Sequence, residues 1–278
     1  MKRSVIVLLT IVMVLSFGLN SFASSSVSKD SDTAQNDRFK KIQEIYDVPT
    51  EVLESLDEET LQIFTTDVKL DDISSKTIYV KFTENEDGTI KTENYAENEY
   101  LKQRAFEIYQ NVTSADWMKI HLVLSPKSDG KTAEASGAFT WLTYPSLRMK
   151  DVVGIVIQNG VVTNGTATGF YTYTTSQGAT TTNWTSGFNY FLGGVTKVQN
   201  LAKPDYPVNS DYMFIKFQFT KSNEPAEALY GTYGHQVLTI NISNPVFELS
   251  RNNGKLKPMN FYFGTEYNET TDYQSKTW

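Results

Sequence analysis

The sequence predicts a mainly β protein: an antiparallel β-sandwich over residues 113–278, preceded by a small acidic α+β (helix–hairpin–helix) region over residues 37–112. Three observations carry this expectation. Residues 152–196 run for 45 positions without Asp, Glu, Lys, Arg or His, where a chain that is 21% charged would hold about nine. This stretch is rich in Thr, Gly and aromatics, the residues of strands and tight turns. Charge is also split unevenly: residues 24–112 carry 10 basic and 20 acidic side chains, residues 113–278 carry 13 and 12. The hydrophobic period changes at the same place, from helical to alternating.

The chain starts with Lys2 and Arg3, a 15-residue apolar run at 5–19, and small residues at Ser21 and Ala23. This is the pattern of a secretory signal peptide, residues 1–23, cleaved after Ala23, so the protein is expected to be secreted. The alternative, an uncleaved anchor, asks for roughly 20 apolar residues, more than this run supplies. Residues 24–36 read as a flexible Ser/Asp-rich leader. The chain has no Cys, so an exported protein of this sequence relies on its core instead of disulfides, a habit of Gram-positive bacterial exports.

The acidic region follows. Phe39, Ile42 and Ile45 give a helix ending before Pro49. Residues 50–64 form one or two short helices, with Asp57 as a cap and Glu58 and Glu59 where the helix dipole favours them. Ile78, Val80 and Phe82 alternate in a strand that turns at Glu86-Asp87-Gly88 and returns as a hairpin. Residues 97–110 are the strongest helix, with Leu101, Ala105, Ile108 and Tyr109 on its apolar stripe.

The β half begins with Met118, Ile120, Leu122 and Leu124 on one strand face. Residues 151–158 are a nearly all-apolar strand closed by Asn159-Gly160, a type I′ hairpin signal. Strands are expected at 161–163, 169–175, 183–191, 212–220, 237–242 and 245–249, with residues 230–236 as a Gly- and Tyr-rich turn. On the 212–220 strand Tyr212, Phe214, Lys216, Gln218 and Thr220 share one face, and Met213, Ile215, Phe217 and Phe219 the other.

Catalytic motifs are absent. A thiol nucleophile is impossible without Cys, and no G-x-S-x-G, S-x-x-K or H-E-x-x-H occurs. Only His121 and His235 are available as bases; the plain readings are a solvent-facing strand residue and a turn residue. Asp205, Asp211, Glu224 and Glu227 are read as loop charges, although paired carboxylates distant in sequence remain an alternative. No metal site and no cofactor are expected, and an acidic chain without a basic cluster is a poor partner for nucleic acid.

Aromatics are the remaining resource. Phe170, Tyr171, Tyr173, Trp184, Phe188 and Tyr190 all lie inside the uncharged stretch. The plain reading packs them in the sandwich core. Two functional readings compete: exposed rings that stack on glycan, or uncharged alternating hairpin strands that insert into a membrane as a barrel, for which about 9–11 residues per strand are needed.

The layout resembles the large secreted bacteriocins of Gram-positive bacteria, of the geobacillin type. The resemblance lies in length, signal peptide, lack of Cys, an acidic helical front region, and a Tyr/Thr-rich β half in which residues 230–236 run into Val237-Leu238-Thr239-Ile240-Asn241-Ile242. It transfers no functional residue. It implies antibacterial action without a catalytic centre. The leading expectation is thus a secreted non-enzymatic antibacterial protein acting on the envelope of competing bacteria, through membrane or wall glycan. A wall- or carbohydrate-binding sandwich module is second, and a secreted hydrolase third.

Overall fold

The computed structural model describes residues 29–64, 72–84, 90–110, 115–143, 145, 148–221, 227–236, 247–249, 256–258 and 267–276. The expected signal peptide and the strand expected at 237–242 lie outside them. The chain divides into two compact units, 1–38 and 39–278. Helix α1, Lys29–Tyr46, crosses that boundary, so the expected leader is helical from Lys29 onward. In the first unit residues 33–37 are exposed. All that follows concerns the second.

That unit is mainly β, with every strand pair antiparallel. The larger sheet, sheet A, contains β1 (Ser74–Glu84), β2 (Ile90–Tyr95), β3 (Ala115–Pro126), β4 (Thr132–Trp141), β6 (Gly160–Val162), β7 (Thr168–Thr175), β8 (Gly178–Trp184) and β11 (Val208–Lys221). Their order is β2-β1-β3-β4-β11-β7-β8, with β6 also on β11. Sheet B runs β15-β12-β5-β10-β9, from β5 (Lys150–Ile157), β9 (Phe188–Tyr190), β10 (Gly194–Asn200), β12 (Glu227–Gln236) and β15 (Tyr267–Lys276). A small hairpin, β13 (Phe247–Leu249) and β14 (Leu256–Pro258), completes the list of strands.

The facing sides of the two sheets form one core. Sheet A contributes Val80, Ile120, Leu122, Phe139, Ile215 and Phe217, and sheet B contributes Val153, Ile155, Val195 and Tyr233. Burial of each such side chain is worth about 1.5–3 kcal/mol. Residues 230–236, expected as a turn, are instead a straight central strand of sheet B, paired to β5 and β15. Gly231 serves packing: a Cβ there would lie 2.5 Å from Leu122 Cδ2 on the opposite sheet. Asn159-Gly160 is also not a hairpin. Neither residue has the positive φ that a type I′ turn needs, and the turn carries the chain from β5 in sheet B to β6 in sheet A.

The charge break at residue 112 is not a domain boundary. β1 and β2 extend sheet A beyond β3, and Ile78, Val80 and Phe82 enter the common core. The short helices α2 (Thr50–Leu53) and α3 (Glu58–Leu61) join the end of α1 in a layer over the outer face of sheet A. Asp57 caps α3, accepting from Thr60 N at 2.8 Å. Ile42, Tyr46, Val52, Leu53 and Phe64 pack there on Val123, Phe170, Tyr212 and Phe214.

Helix α4, Glu97–Gln110, docks by the side opposite to the one its apolar stripe predicts. Leu101, Phe106, Ile108 and Tyr109 are exposed, Tyr109 by 85%. Contact is made by Tyr100, stacked on Tyr79 at 4.1 Å, and by Glu107, which is buried. The Glu107 carboxylate takes Lys81 Nζ at 2.7 Å, Arg104 at 3.0 Å and Trp117 Nε1 at 3.1 Å. Aromatic stacking and a satisfied buried carboxylate outweigh the aliphatic stripe at this place.

His121 is buried, contrary to its reading as a solvent-facing residue. It clasps the helical layer to the sheet. Its Nε2 lies 3.0 Å from the Ile45 carbonyl, which only accepts, so Nε2 carries the proton and Nδ1 accepts from Thr77 Oγ1 at 2.7 Å. Beside it Asp47, at φ 54, ends α1 and pairs with Lys119 at 2.8 Å.

Burial holds the His121 pKa below its ordinary value. The unfolded chain therefore takes up the proton first. The stability this ring contributes is complete above about pH 6.5 and declines as pH falls toward the lowered folded value. Urea midpoints measured from about pH 7 down to about pH 5 should fall in the parent and fall less steeply in His121→Gln. Ile108→Ser should leave the midpoint unchanged within about 0.5 kcal/mol, whereas Phe64→Ala should cost about 3–5 kcal/mol.

Candidate functional site

The uncharged stretch contributes β5, β6, the β7–β8 hairpin, β9 and the start of β10. The hairpin turns at Ser176-Gln177, with Gly178 at φ 118. Thr175 Oγ1 accepts from Gln177 N at 3.1 Å and donates to the Gly178 carbonyl at 3.3 Å. Register separates its two faces. Thr172 opposes Thr181, Thr174 opposes Ala179 and Phe170 opposes Asn183 on the face toward the helical layer. Tyr171, Tyr173, Gly169 and Trp184 lie on the other. Only glycine fits at 169, since a Cβ there would lie 2.1 Å from the Phe214 carbonyl oxygen.

The six aromatics singled out in the sequence go to three different places. Phe170 is fully buried under the helical layer among Phe64, Tyr212 and Phe214. Tyr171 is buried in a polar knot, with half-buried Tyr173 beside it at 6.0 Å. Trp184 is buried, donates Nε1 to Gln199 Oε1 at 3.0 Å, and meets half-buried Phe188 edge-on at 6.5 Å. The Tyr190 hydroxyl accepts from Ala167 N at 3.1 Å. In this conformation Phe170, Tyr171 and Trp184 present no ring face to a ligand. Lys197, the first charge after the stretch, folds back over Trp184 and Phe188 at 5.7 and 5.2 Å and donates to the Ser186 carbonyl at 2.7 Å.

The polar knot was not foreseen. Asp211, read as a loop charge, is 1% exposed on β11. Arg148 grips its carboxylate in a two-pronged bond at 2.6 and 2.7 Å, and the Tyr171 hydroxyl donates to the same group at 2.5 Å. Arg148 Nε donates to the Ala202 carbonyl, and Ala202 N donates back to the Tyr171 oxygen at 3.0 Å. Burial beside this carboxylate pushes the Tyr171 pKa well up.

A second cluster gathers His235, Asp151, Tyr233 and Trp141. His235 Nδ1 lies 2.7 Å from Asp151 Oδ1, while Tyr233 and Trp141 donate to Oδ2. This orients an imidazole as hydrolases do. Among the described residues, however, the hydrogen-bond partners of His235 are Asp151 and Tyr233. No group of three or more His, Asp or Glu among the described residues is placed to hold a metal. No described helix is long and apolar enough to cross a membrane, which leaves strand-built crossing untouched.

A groove of about 650 Å³ opens at the hairpin tip. Glu51, Glu54 and Ser55 form one wall, Thr174, Thr175, Gly178 and Ala179 another, and Asn209 and Ser210 the third. The walls offer two carboxylates, one amide and several hydroxyls, and no aromatic ring. Such a surface accepts hydrogen bonds from hydroxyls or ammonium groups. Its residues come from three segments far apart in sequence, and no local signal unites them.

No protein-family model and no curated protein matches the chain. Among solved structures it is similar to the collagen-binding domain from a Staphylococcus aureus adhesin, at 6% identity and TM-score 0.27, over 50% of this chain and 86% of that one. It is similar to the collagen-binding domain of the Erysipelothrix rhusiopathiae surface protein RspB, at 6% identity and TM-score 0.26, over 59% and 65%. It is also similar to a pore forming protein, at 8% identity and TM-score 0.23, over 58% and 84%.

Removing one partner of the buried pair leaves an uncompensated charge. Asp211→Ala should lower unfolding free energy by about 3–5 kcal/mol, against about 1–2 kcal/mol for Tyr171→Phe, read from urea melts.

Proposed function

We propose that the chain is a secreted, non-enzymatic protein that acts on the envelope of competing bacteria, and that it binds wall glycan through the groove at the β7–β8 tip. One observation carries this reading: the groove collects carboxylates, an amide and hydroxyls on a rigid sheet end, which is the donor–acceptor set that polyols and amino sugars satisfy. Glycan recognition would then rest on polar contacts, since three of the six aromatics are buried. The mature protein should start at Ser24 in culture medium. It should be retained on insoluble peptidoglycan and inhibit growth of related strains. The double variant Glu51→Gln/Asn209→Ala should weaken retention about tenfold or more. The absence of both retention on peptidoglycan and growth inhibition across a broad panel of strains would overturn the reading.

A second reading rests on the two uncharged, Thr- and aromatic-rich strands of the hairpin, β7 and β8, in unbroken register. That pattern also serves a strand pair that leaves the sheet and enters a bilayer. The chain has no Cys, so a disulfide can be placed alone. Thr174 and Ser210 are paired across β7 and β11 with their hydroxyls 2.7 Å apart. Thr174→Cys/Ser210→Cys would lock the hairpin to the sheet when oxidised. If insertion is the mechanism, dye leakage from liposomes should occur with the reduced protein and stop with the oxidised one.

A further inference from the structure

Among the described residues the main paths of the two sheets end in β2, β8, β9 and β15, with the three-residue β6 off the path on β11. β2 carries Lys91 and Glu93, β15 carries Glu269, Asp272 and Lys276, and β9 is three residues long. Charges and shortness are the usual defences of an edge against pairing. β8 has none. It is a seven-residue strand, Gly-Ala-Thr-Thr-Thr-Asn-Trp, with no charge, no Pro and an unbroken register to β7.

Register also shows which groups face outward. The hairpin closes on Thr175 and Gly178 around a two-residue turn, so alternate pairs from there exchange hydrogen bonds with β7. The main-chain groups of Gly178, Thr180, Thr182 and Trp184 therefore point to β7, and those of Ala179, Thr181 and Asn183 point away from the sheet. Thr180 and Thr182 have exposed side chains.

Charge selects the occupant. The whole chain has a formal net charge of −7, so two copies repel over most of their surfaces. The β8 edge belongs to the 45-residue segment that carries none of that charge. The strand offers no opposite side chain to a charged peptide and no like charge to the same strand of a second copy. The strand is also close to symmetric about Thr181. Laid antiparallel on itself, it sets Thr181 against Thr181, Thr180 against Thr182 and Ala179 against Asn183, and Thr–Thr pairs are favourable neighbours across strands.

We propose that two copies of this chain pair β8 to β8, antiparallel, about a two-fold axis at Thr181. The outward groups at 179, 181 and 183 then form about six main-chain hydrogen bonds, and the two A sheets become one continuous sheet. The contact is self-complementary, as a two-fold interface requires. It rests on the β8 edge and not on the proposed function, and Ala179 is the one residue of the pairing set 179, 181 and 183 that also lines the groove.

Sedimentation velocity over a concentration series tests this with two double variants at the exposed positions. In the two-fold register residue 180 of one copy faces 182 of the other. Thr180→Lys/Thr182→Lys places like charges opposite each other twice and should raise the dimer dissociation constant about tenfold or more. Thr180→Glu/Thr182→Lys places opposite charges there and should keep the dimer at wild-type strength or better, which also shows that substitution at these sites preserves the fold. A wild-type protein that stays monomeric throughout its soluble range, or equal association by all three proteins, would overturn the proposal.

Discussion

Tyr212 and Phe214 alternate along β11 with Met213 and Ile215, and all four are buried. The middle of sheet A is thus apolar on both sides and must be covered twice. Sheet B covers one side. The helical layer covers the other, and the rest of the architecture serves that need. Phe64 lies 4.8 Å from Phe214 and 5.9 Å from Phe170, and Tyr46 meets Phe214 edge-on at 5.7 Å. His121 then fastens the layer by a bond to the last turn of α1. Without the layer these rings would face water, and several kcal/mol of apolar burial would be lost.

The polar knots follow from the same double burial. Strand ends that carry Asp151, Asp211 and Arg148 are drawn into a dry environment, where an unpaired charge is costly. Each is satisfied. Arg148 and Asp211 meet two-pronged, and Asp151 is shared among His235, Tyr233 and Trp141. Tyr171 and Tyr233 supply the hydroxyls that complete the acceptor shells. Aromatic residues that read as ligand platforms in the sequence act here as hydrogen-bonding members of the core. Two exposed features are rich in hydroxyls: the groove, which adds the carboxylates of Glu51 and Glu54, and the uncharged β8 edge. A function based on polar contacts and strand pairing suits that surface.

Much of the fold was legible in the residues. Alternation located β1 and β3, because a strand imposes period two on its side chains, and a nearly all-apolar run located β5, which is buried on both faces. The Asp57 cap was legible because capping is local. Where reading failed, long-range packing had overruled a local signal. Asn159-Gly160 changes sheets instead of closing a hairpin, and residues 230–236 form a strand in which Gly231 admits Leu122 from the other sheet. The stripe of α4 faces out because Tyr100 and Glu107 find better partners on β1 and β3. The groove was invisible, since its walls come from three separate segments, 51–55, 174–179 and 209–210.

By itself the sequence determined the β character, the absence of disulfides and the neutrality of residues 152–196, because composition and periodicity are properties of neighbours along the chain. Only the tertiary structure decided which side of each strand is dry, that the acidic region shares the core of the β half, and that Asp211 and His235 are buried partners and not loop charge and turn. Those outcomes depend on which segments meet in space, and burial converts the same side chain from a solvated charge into a fixed structural bond.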